Sequence, residues 1–306
     1  MMDIVCTIDD KFTQYCGVML TSLLENNKES DISVHIVTDG LSESNKGKLS
    51  HIPSAYRQKI AFYQIDKGLF ADFPIREGDH VSLAAYYRLI LADVLPDDLD
   101  KVLYLDSDII IRSSIKELWE TDISEYALAA VEDKLSYYSC LSELLGFSAE
   151  YRYFNSGVLL INLSYWREMD FGKKALKFVN VNFDNIIYHD QDVLNAFFFN
   201  RWKSLYYRWN FMDFIATTYF REKFFLADYY CKTKNYPIII HFSASLKPWH
   251  CGCINLYKSE YFKYLVLTEW KDVPSKWNLK QWMKIRLKRF LFVLGIYNNW
   301  CVKYYI

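Results

Sequence analysis

Apolar residues fall into two alternating kinds of segment along this chain. Short apolar runs typical of buried strands lie at 4–8, 33–38, 59–65, 101–105, 127–131, 158–162 and 237–242. Apolar residues recur at three- and four-residue spacing over 13–26, 42–52, 84–93, 165–181 and 192–199, which predicts amphipathic helices. Strands that alternate with helices predict an α/β fold with a mixed, mostly parallel sheet and helices on both faces.

The composition fits a large folded domain. The chain has 306 residues, of which 52% are hydrophobic, enough to bury a substantial core. Its 36 Lys and Arg residues balance 37 Asp and Glu residues, so no overall charge favours nucleic-acid binding. No signal peptide is visible, and no apolar run reaches the roughly 18 residues of a membrane-spanning helix. Seven cysteines without zinc-binding or redox spacing predict reduced thiols in a cytoplasmic protein.

The composition shifts near the end of the chain. Residues 273–306 contain seven basic residues and no acidic one, together with Trp277, Trp282 and Trp300. A basic amphipathic helix with tryptophans is typical of attachment to an anionic membrane surface. A helix docked on the domain, with its charged face in solvent, is the alternative. We therefore expect one main folded domain over 1–255 and a helical tail over 256–306.

Two aspartates, Asp106 and Asp108, end the apolar run at 101–105. Because side chains alternate along an extended backbone, both carboxylates can face one point while Ser107 faces away. Carboxylate oxygens suit Mg²⁺ or Mn²⁺, which keep positions open for phosphate oxygens. The carboxyl end of a strand is also where open α/β sheets bind ligands. Without other motifs, a solvated turn would explain the same residues.

Polar residues elsewhere have both a structural and a functional interpretation. Thr7, Asp9 and Asp10 end the first predicted strand, where acids can cap the next helix or hold a nucleotide base or ribose. Arg88 lies inside an apolar helical segment. It is either a surface residue whose charged end snorkels to water or a cation that pairs with a buried carboxylate or a phosphate.

Three later segments leave similar alternatives open. Asn155 precedes a strand, where it either belongs to an ordinary turn or presents its amide to a sugar hydroxyl. Asp190 begins a helix, where it can act as a simple N-cap. His241 closes an apolar strand, as a core residue or a metal ligand, and Lys247 before a proline could meet a diphosphate.

In this order, the motifs resemble glycosyltransferase family 8, which includes bacterial lipopolysaccharide galactosyl- and glucosyltransferases and glycogenin. The resemblance covers about residues 3–250. It rests on six segments: Thr7 with Asp9, Tyr-Tyr-Arg88-Leu, Leu-Asp106-Ser-Asp108, Phe-Asn155-Ser-Gly-Val, Asp190-Gln191-Asp, and His241 followed by Lys247-Pro-Trp. The basic, aromatic tail also resembles the membrane-binding tail of bacterial members. One departure is Ala244, where the family usually has glycine close to the phosphates.

The resemblance implies a single nucleotide-diphosphosugar-binding domain of GT-A type and a role for each motif. The donor would be a UDP-hexose, Gal or Glc, transferred with retention to an oligosaccharide or lipid-linked glycan. Mn²⁺, with Mg²⁺ as a substitute, would bridge the phosphates. The implied metal ligands are Asp106, Asp108 and His241; the nucleotide-binding residues Thr7, Asp9, Asp10, Asp106, Ser107 and Lys247; and the donor-sugar residues Arg88, Asn155, Asp190 and Gln191.

The reaction itself leaves two mechanisms open. Gln191 would lie beneath the anomeric carbon, and an amide is a poor nucleophile, which favours attack by the acceptor hydroxyl on the face that UDP leaves. A covalent intermediate on Asp190 is the competing mechanism. Two other functions remain alternatives: a catalytically silent UDP-sugar or glycan-binding module, and a Mg²⁺-dependent phosphatase or phosphotransferase. The expected location is the cytoplasm, at the inner face of the plasma membrane.

Overall fold

A computed structural model describes residues 1–70, 73, 82–134, 141–216, 237–250, 253, 255–273, 283 and 287. Ten strands lie in these ranges and form two sheets. They are β1 (Met2–Thr7), β2 (Ile32–Thr38), β3 (Lys59–Gln64), β4 (Lys101–Leu105), β5 (Ile109–Ile111), β6 (Leu128–Glu132), β7 (Phe154–Asn162), β8 (Trp202–Ser204), β9 (Phe211–Met212) and β10 (Ile239–His241).

The larger sheet has the strand order β3-β2-β1-β4-β7-β6-β8. Neighbours among β1 to β4 are parallel, as are β6 and β8. In this sheet β7 alone runs against its neighbours, β4 and β6. The predicted mixed, mostly parallel sheet is therefore confirmed.

Nine α-helices lie in the described ranges. They are α1 (Thr13–Glu25), α2 (Glu43–Ala55), α3 (Leu91–Val94), α4 (Lys116–Trp119), α5 (Leu141–Leu144), α6 (Leu163–Glu168), α7 (Phe171–Val181), α8 (Asp190–Phe198) and α9 (Lys258–Leu265). Short 3₁₀ helices occupy Asp10–Phe12, Lys67–Phe70, Leu83–Ile90, Phe183–Asn185, Tyr207–Trp209 and Asp213–Ala216.

Helices cover both faces of the larger sheet, as predicted. Successive residues of β1 enter different hydrophobic cores, because side chains alternate along a strand: Ile4 belongs to one core and Val5 to the other. The first core receives side chains from α1, α2 and α9, and the second from α6, α7 and α8. All residues of β1 and β2 are buried, which explains why their sequences are nearly continuous apolar runs.

Two predicted helices take a different form. The segment predicted as one helix over 84–93 is a 3₁₀ helix at Leu83–Ile90 followed by α3. The segment predicted over 165–181 is divided into α6 and α7, because Asp170 has a left-handed backbone with φ of 53°. Aspartate tolerates this conformation better than most side chains.

The smaller sheet has the order β5-β10-β9 and positions the candidate site. In the antiparallel pair of β10 and β5, His241 lies opposite Ile109. The backbone amide of Phe242 also donates to the carbonyl oxygen of Asp108 at 3.0 Å. This register brings His241 beside Asp108, 133 positions earlier by residue number.

The end of the chain is described only in part. Helix α9 places Tyr261, Tyr264 and Leu265 in the first core. Apart from Met283 and Leu287, residues 274–306 lie outside the described residues, so the basic tail and the domain boundary at 255 stay predictions. Within the described part of the chain, no helix has the length and apolar character needed to cross a membrane.

Candidate active site

Polar ends of several elements meet around one cavity of about 320 Å³. It lies where β4 ends, where the antiparallel β7 begins, and where α8 and the segment after β10 approach. Eight of the predicted site residues line it: Arg88, Asp106, Asp108, Asn155, Asp190, Gln191, His241 and Lys247. Thr7, Asp9, Asp10 and Ser107 are not among its lining residues.

Two aspartates and a histidine form a potential metal site in this cavity. One ligand atom from each of Asp106, Asp108 and His241 lies within 4.8 Å of the others. The Nε2 atom of His241 is 3.4 Å from Asp108 Oδ1 and 3.9 Å from Asp106 Oδ2. Asp108 Oδ1 is buried and makes no hydrogen bond within the described residues. A buried carboxylate oxygen without a hydrogen bond is costly, so this donor set fits a divalent cation.

Charges around Asp108 favour its ionised form. Burial alone would raise its pKa, but the ammonium of Lys247, 2.7 Å from Oδ2, and the nearby His241 lower the pKa of Asp108. Burial likewise would lower the pKa of His241, whereas Asp108 and Asp106 raise it. Lys247 also donates to the carbonyl oxygen of Phe242 at 2.8 Å. The surroundings of Asp108 therefore favour an ionised carboxylate with positive charge next to it.

Arg88 connects the metal half of the cavity, which is formed by Asp106, Asp108 and His241, to Asp190. Its Nη2 atom donates to Asp106 Oδ1 at 2.8 Å, and its Nε atom lies 3.1 Å from Asp190 Oδ2. Its Nη1 atom donates to the carbonyl oxygen of Ser156 at 2.7 Å. Burial opposes the charge of Arg88, but the carboxylates of Asp106 and Asp190 raise its pKa. Of the two interpretations of Arg88, the buried cation paired with carboxylates is confirmed.

The first turn of α8 presents Asp190 and Gln191 to the cavity. Asp190 Oδ2 accepts from the hydroxyl of Ser156 at 2.9 Å, and burial raises the pKa of Asp190. Gln191 Oε1 accepts from the backbone amide of Ser156 and from Asn155 Nδ2, both at 3.0 Å. Gln191 Nε2 points toward Asp133 Oδ2, 3.4 Å away. The carbonyl oxygen of Gln191 is therefore held by two donors, and its NH₂ group donates to Asp133.

Backbone strain and a buried acid shape the entry to α8. His189 has φ of 52° and ψ of −125°, a region that residues other than glycine rarely adopt. Asp192 Oδ2 accepts from the backbone amides of Ile187 at 2.6 Å and Tyr188 at 2.7 Å, and Oδ1 accepts from Tyr153 at 2.6 Å. These bonds fix the turn that delivers Asp190 and Gln191.

Residues at the end of β1 have mostly structural contacts. Asp9 Oδ1 accepts from the amides of Lys11 and Phe12, as a helix cap does. Asp10 Oδ1 accepts from Asn45 and Ser42 at the start of α2, and those bonds lower the pKa of Asp10. The hydroxyl of Thr7 is 3.0 Å from Tyr104 OH. Contact of these residues, or of Ser107, with a nucleotide stays a prediction.

Ala244 is compatible with the local backbone. It is not among the described residues other than glycine that have positive φ, so its methyl group adds no backbone strain. Its amide donates to Asp213 Oδ2 at 2.9 Å, and Asp213 also accepts from Asn255. Burial raises the pKa of Asp213.

Several residues of the site were missed in the sequence. Tyr104 donates to Asp106 Oδ1 at 2.7 Å, and Asn210 lies 2.9 Å from the Nδ1 atom of His241. Asp133 follows the predicted strand at 127–131, and its position at a strand's carboxyl end was a signal that could have found it. Asn210 lies in an irregular aromatic segment and carried no such signal.

Comparisons with known proteins agree with this geometry. The family model described as glycosyl transferase family 8 matches residues 3–253. The chain therefore belongs to glycosyl transferase family 8, a class of retaining hexosyltransferases. This confirms the family expected from the six segments.

Individual relatives cover most of the chain. General stress protein A of Bacillus subtilis is 31% identical over 280 residues, covering 90% of this chain and 96% of that protein. The lipopolysaccharide 1,3-galactosyltransferase of Salmonella typhimurium is 31% identical over 249 residues, covering 79% and 71%. A crystal structure of galactosyltransferase LgtC with donor and acceptor sugar analogs matches with a TM-score of 0.79 and 30% identity, covering 90% and 99%. This likeness confirms the GT-A type of fold.

Proposed function

We propose that this chain transfers galactose or glucose from a UDP-sugar to a surface glycan or glycolipid, with retention and with Mn²⁺ as its cation. The observation that carries the proposal is the meeting of Asp106, Asp108 and His241 with Arg88, Asp190 and Gln191 in one cavity. Relatives that are lipopolysaccharide glucosyl- and galactosyltransferases support a hexose donor and a glycan acceptor.

Each half of the cavity has its own task in this proposal. Asp106, Asp108 and His241 would hold the cation, which would neutralise charge that develops on the diphosphate as the sugar–phosphate bond breaks. Lys247 would exchange its contact with Asp108 for the diphosphate, adding a second positive charge there. Mg²⁺ prefers the same oxygen ligands and is a plausible substitute, although a histidine ligand favours Mn²⁺.

The sugar half of the cavity consists of the predicted donor-sugar residues Arg88, Asn155, Asp190 and Gln191. Its contacts support attack from the face that UDP leaves. The hydrogen bonds to Gln191 Oε1 occupy the oxygen that would have to act as a nucleophile, so the amide serves to position the donor sugar. The acceptor hydroxyl then forms the new bond to the anomeric carbon, the bond to UDP breaks, and a UDP oxygen takes the hydroxyl proton. Asp190 is the competing nucleophile, but its Oδ2 atom is held by Ser156 and Arg88.

Release of UDP from a panel of UDP-sugars, with Mn²⁺ and with EDTA, tests the proposal. We expect slow, metal-dependent hydrolysis of one UDP-hexose, lost in Asp108→Ala. The matched control is Asp97→Ala, since the side chain of Asp97 is fully exposed to solvent. Tight UDP binding without turnover of any sugar, with or without glycan acceptors, would favour the silent binding module instead. Absence of metal-dependent UDP binding would overturn the proposal.

The tail would hold the enzyme at the cytoplasmic face of a membrane. Support comes from the basic composition of 273–306 and from Met283 and Leu287, which are helical and exposed. Deletion of 273–306 should abolish binding to liposomes rich in anionic lipid, while UDP-sugar hydrolysis in solution persists. Unchanged binding would exclude the tail as the attachment site.

A further inference from the structure

Asn210 lies between the metal half and the sugar half of the cavity, in the segment just before β9. Its side chain is fully buried. On one side, its Oδ1 atom is 2.9 Å from Nδ1 of His241. On the other side, its Nδ2 atom donates to Oδ1 of Asn155 at 2.8 Å. A single amide thus contacts both a potential metal ligand and a potential sugar-binding residue.

Backbone donors fix the orientation of every amide in this chain of contacts. The amide of Gly157 can only donate, and it donates to Asn155 Oδ1 at 3.0 Å. The second group at that oxygen must also be a donor, so Asn210 presents its NH₂ group there. Asn210 Oδ1 then faces His241. Because this oxygen can only accept, Nδ1 of His241 must carry a proton.

Protonation of Nδ1 determines the state of the other ring nitrogen of His241, Nε2. A histidine protonated at Nδ1, in its neutral form, has its lone pair at Nε2. Nε2 is the atom that faces Asp108 Oδ1 and Asp106 Oδ2. Metal-binding histidines are commonly oriented by such a second hydrogen bond, which sets the tautomer and the ring position.

The same chain of bonds continues to the donor-sugar residues. With Asn155 Oδ1 occupied by two donors, Asn155 Nδ2 donates to Gln191 Oε1 at 3.0 Å. Gln191 Oε1 also accepts from the backbone amide of Ser156, so its own orientation is set independently. The two ends of the chain, at Gly157 and Ser156, are both backbone donors of β7.

We propose that Asn210 is a positioning residue that keeps His241 in its metal-binding tautomer and, through Asn155, links the metal half of the cavity to the sugar half. This inference rests on the proposed function, since it gives His241 a cation and Asn155 a sugar. Asn210 itself is not among the residues that line the cavity, so it acts through His241 and Asn155.

Binding of Mn²⁺ in the presence of saturating UDP, measured by electron paramagnetic resonance of the free ion, tests the metal half. Asn210→Leu keeps the branching and the number of side-chain heavy atoms and removes both hydrogen bonds, so we expect Mn²⁺ affinity to fall about ten- to a hundredfold. Asn27→Leu is the matched control, because Asn27 is also buried and bridges α1 to the amide of Ile115 away from the cavity. It should lower thermal stability and leave Mn²⁺ affinity unchanged.

Asn210→Asp separates the two halves. A carboxylate still accepts from Nδ1 of His241 but cannot donate to Asn155, so Mn²⁺ affinity should stay within about threefold of wild type. The preference for UDP-hexose over UDP, measured by calorimetry, should fall about tenfold, because Asn155 Oδ1 loses one of its two donors and faces a carboxylate oxygen instead. Equal Mn²⁺ affinity in wild type and Asn210→Leu, or an unchanged preference in Asn210→Asp, would overturn the inference alone. A wild type that binds no Mn²⁺ would overturn the proposed function as well.

Discussion

Gly157 lies directly against the imidazole ring of His241. A Cβ atom at position 157 would be 2.8 Å from His241 Nδ1 and 2.9 Å from Asp106 Oδ2, both closer than side-chain carbons normally approach. The absence of a side chain in this part of β7 therefore allows the histidine to reach the two aspartates.

Gly157→Ala should displace His241 from the carboxylates. The added methyl group has no free space, so we expect Mn²⁺ affinity to fall at least about tenfold and unfolding free energy to fall by about 1–3 kcal/mol. Mn²⁺ titration in the presence of UDP and chemical denaturation measure the two effects.

Gly47→Ala serves as the control for this substitution. A Cβ atom on Gly47, in α2, meets nothing within 4 Å. Replacing glycine by alanine inside a helix should stabilise the protein by about 0.5–1 kcal/mol and leave Mn²⁺ binding unchanged. If Gly157→Ala behaves like Gly47→Ala, His241 does not need the close approach.

Lys247→Met should change the affinities for metal and nucleotide in opposite directions. The ammonium of Lys247 is 2.7 Å from Asp108 Oδ2 and competes with a cation for that carboxylate. Without it, Mn²⁺ alone should bind more tightly, and UDP in the presence of Mn²⁺ should bind about tenfold more weakly because one charge-assisted hydrogen bond is lost. Calorimetric titrations of Mn²⁺ and of UDP decide this. A decrease in both affinities would mean that Lys247 supports the metal site directly.

The strands of the larger sheet could be predicted from the sequence because buried parallel strands leave continuous apolar runs. Strands β5, β8 and β9 were not predicted as separate elements, since two or three residues are too few to show a period. The second sheet depends on pairing between β5 and β10, which lie far apart in sequence. Local patterns carry no information about such a pairing.

The residue types of the site could be predicted better than their contacts. Asp106 and Asp108 are identified by alternation after a strand, and Arg88 by its charge inside an apolar segment. The hydrogen bonds of Asn210 and Asp192 depend on tertiary packing, and neither residue differs in sequence from an ordinary loop or helix residue. The role proposed for Asn210 could therefore be inferred only once the structure had shown where β7 and β10 lie around it.

Asp192→Asn should flatten the dependence of stability on pH. Burial raises the pKa of Asp192, against hydrogen bonds from Tyr153 and the backbone amides of Tyr188 and Ile187. A carboxyl with a raised folded pKa contributes its full stability below the unfolded value of about 3.9, and the contribution is lost as pH rises through the folded pKa. The unfolding free energy of wild type relative to Asp192→Asn should therefore fall as pH rises above about 4.

The slope of that difference can reach about 1.4 kcal/mol per pH unit within the window between the two pKa values. Urea denaturation of both proteins at a series of pH values measures it. Asn retains a carbonyl oxygen for the two backbone amides, and the hydroxyl of Tyr153 can turn to accept from its NH₂ group. That change does not depend on pH, so the pH-dependent part of the difference reports the charge. Asp97→Asn, at an exposed position, should run parallel to wild type. A difference that grows in the opposite direction would mean that the hydrogen bonds outweigh burial.

His189→Gly should make the protein more stable than His189→Ala, which loses the same contacts with Tyr86, and should slow the reaction. The backbone of His189, with φ of 52° and ψ of −125°, costs a side chain about 1–3 kcal/mol, whereas glycine adopts it freely. Greater freedom of the unfolded chain offsets about 0.4–1 kcal/mol of that gain. Asp190 and Gln191 follow directly, so a looser backbone should lower kcat for UDP-sugar turnover. His189→Ala keeps the strain and removes the imidazole; if it is as stable as His189→Gly in thermal unfolding, the strain argument is wrong.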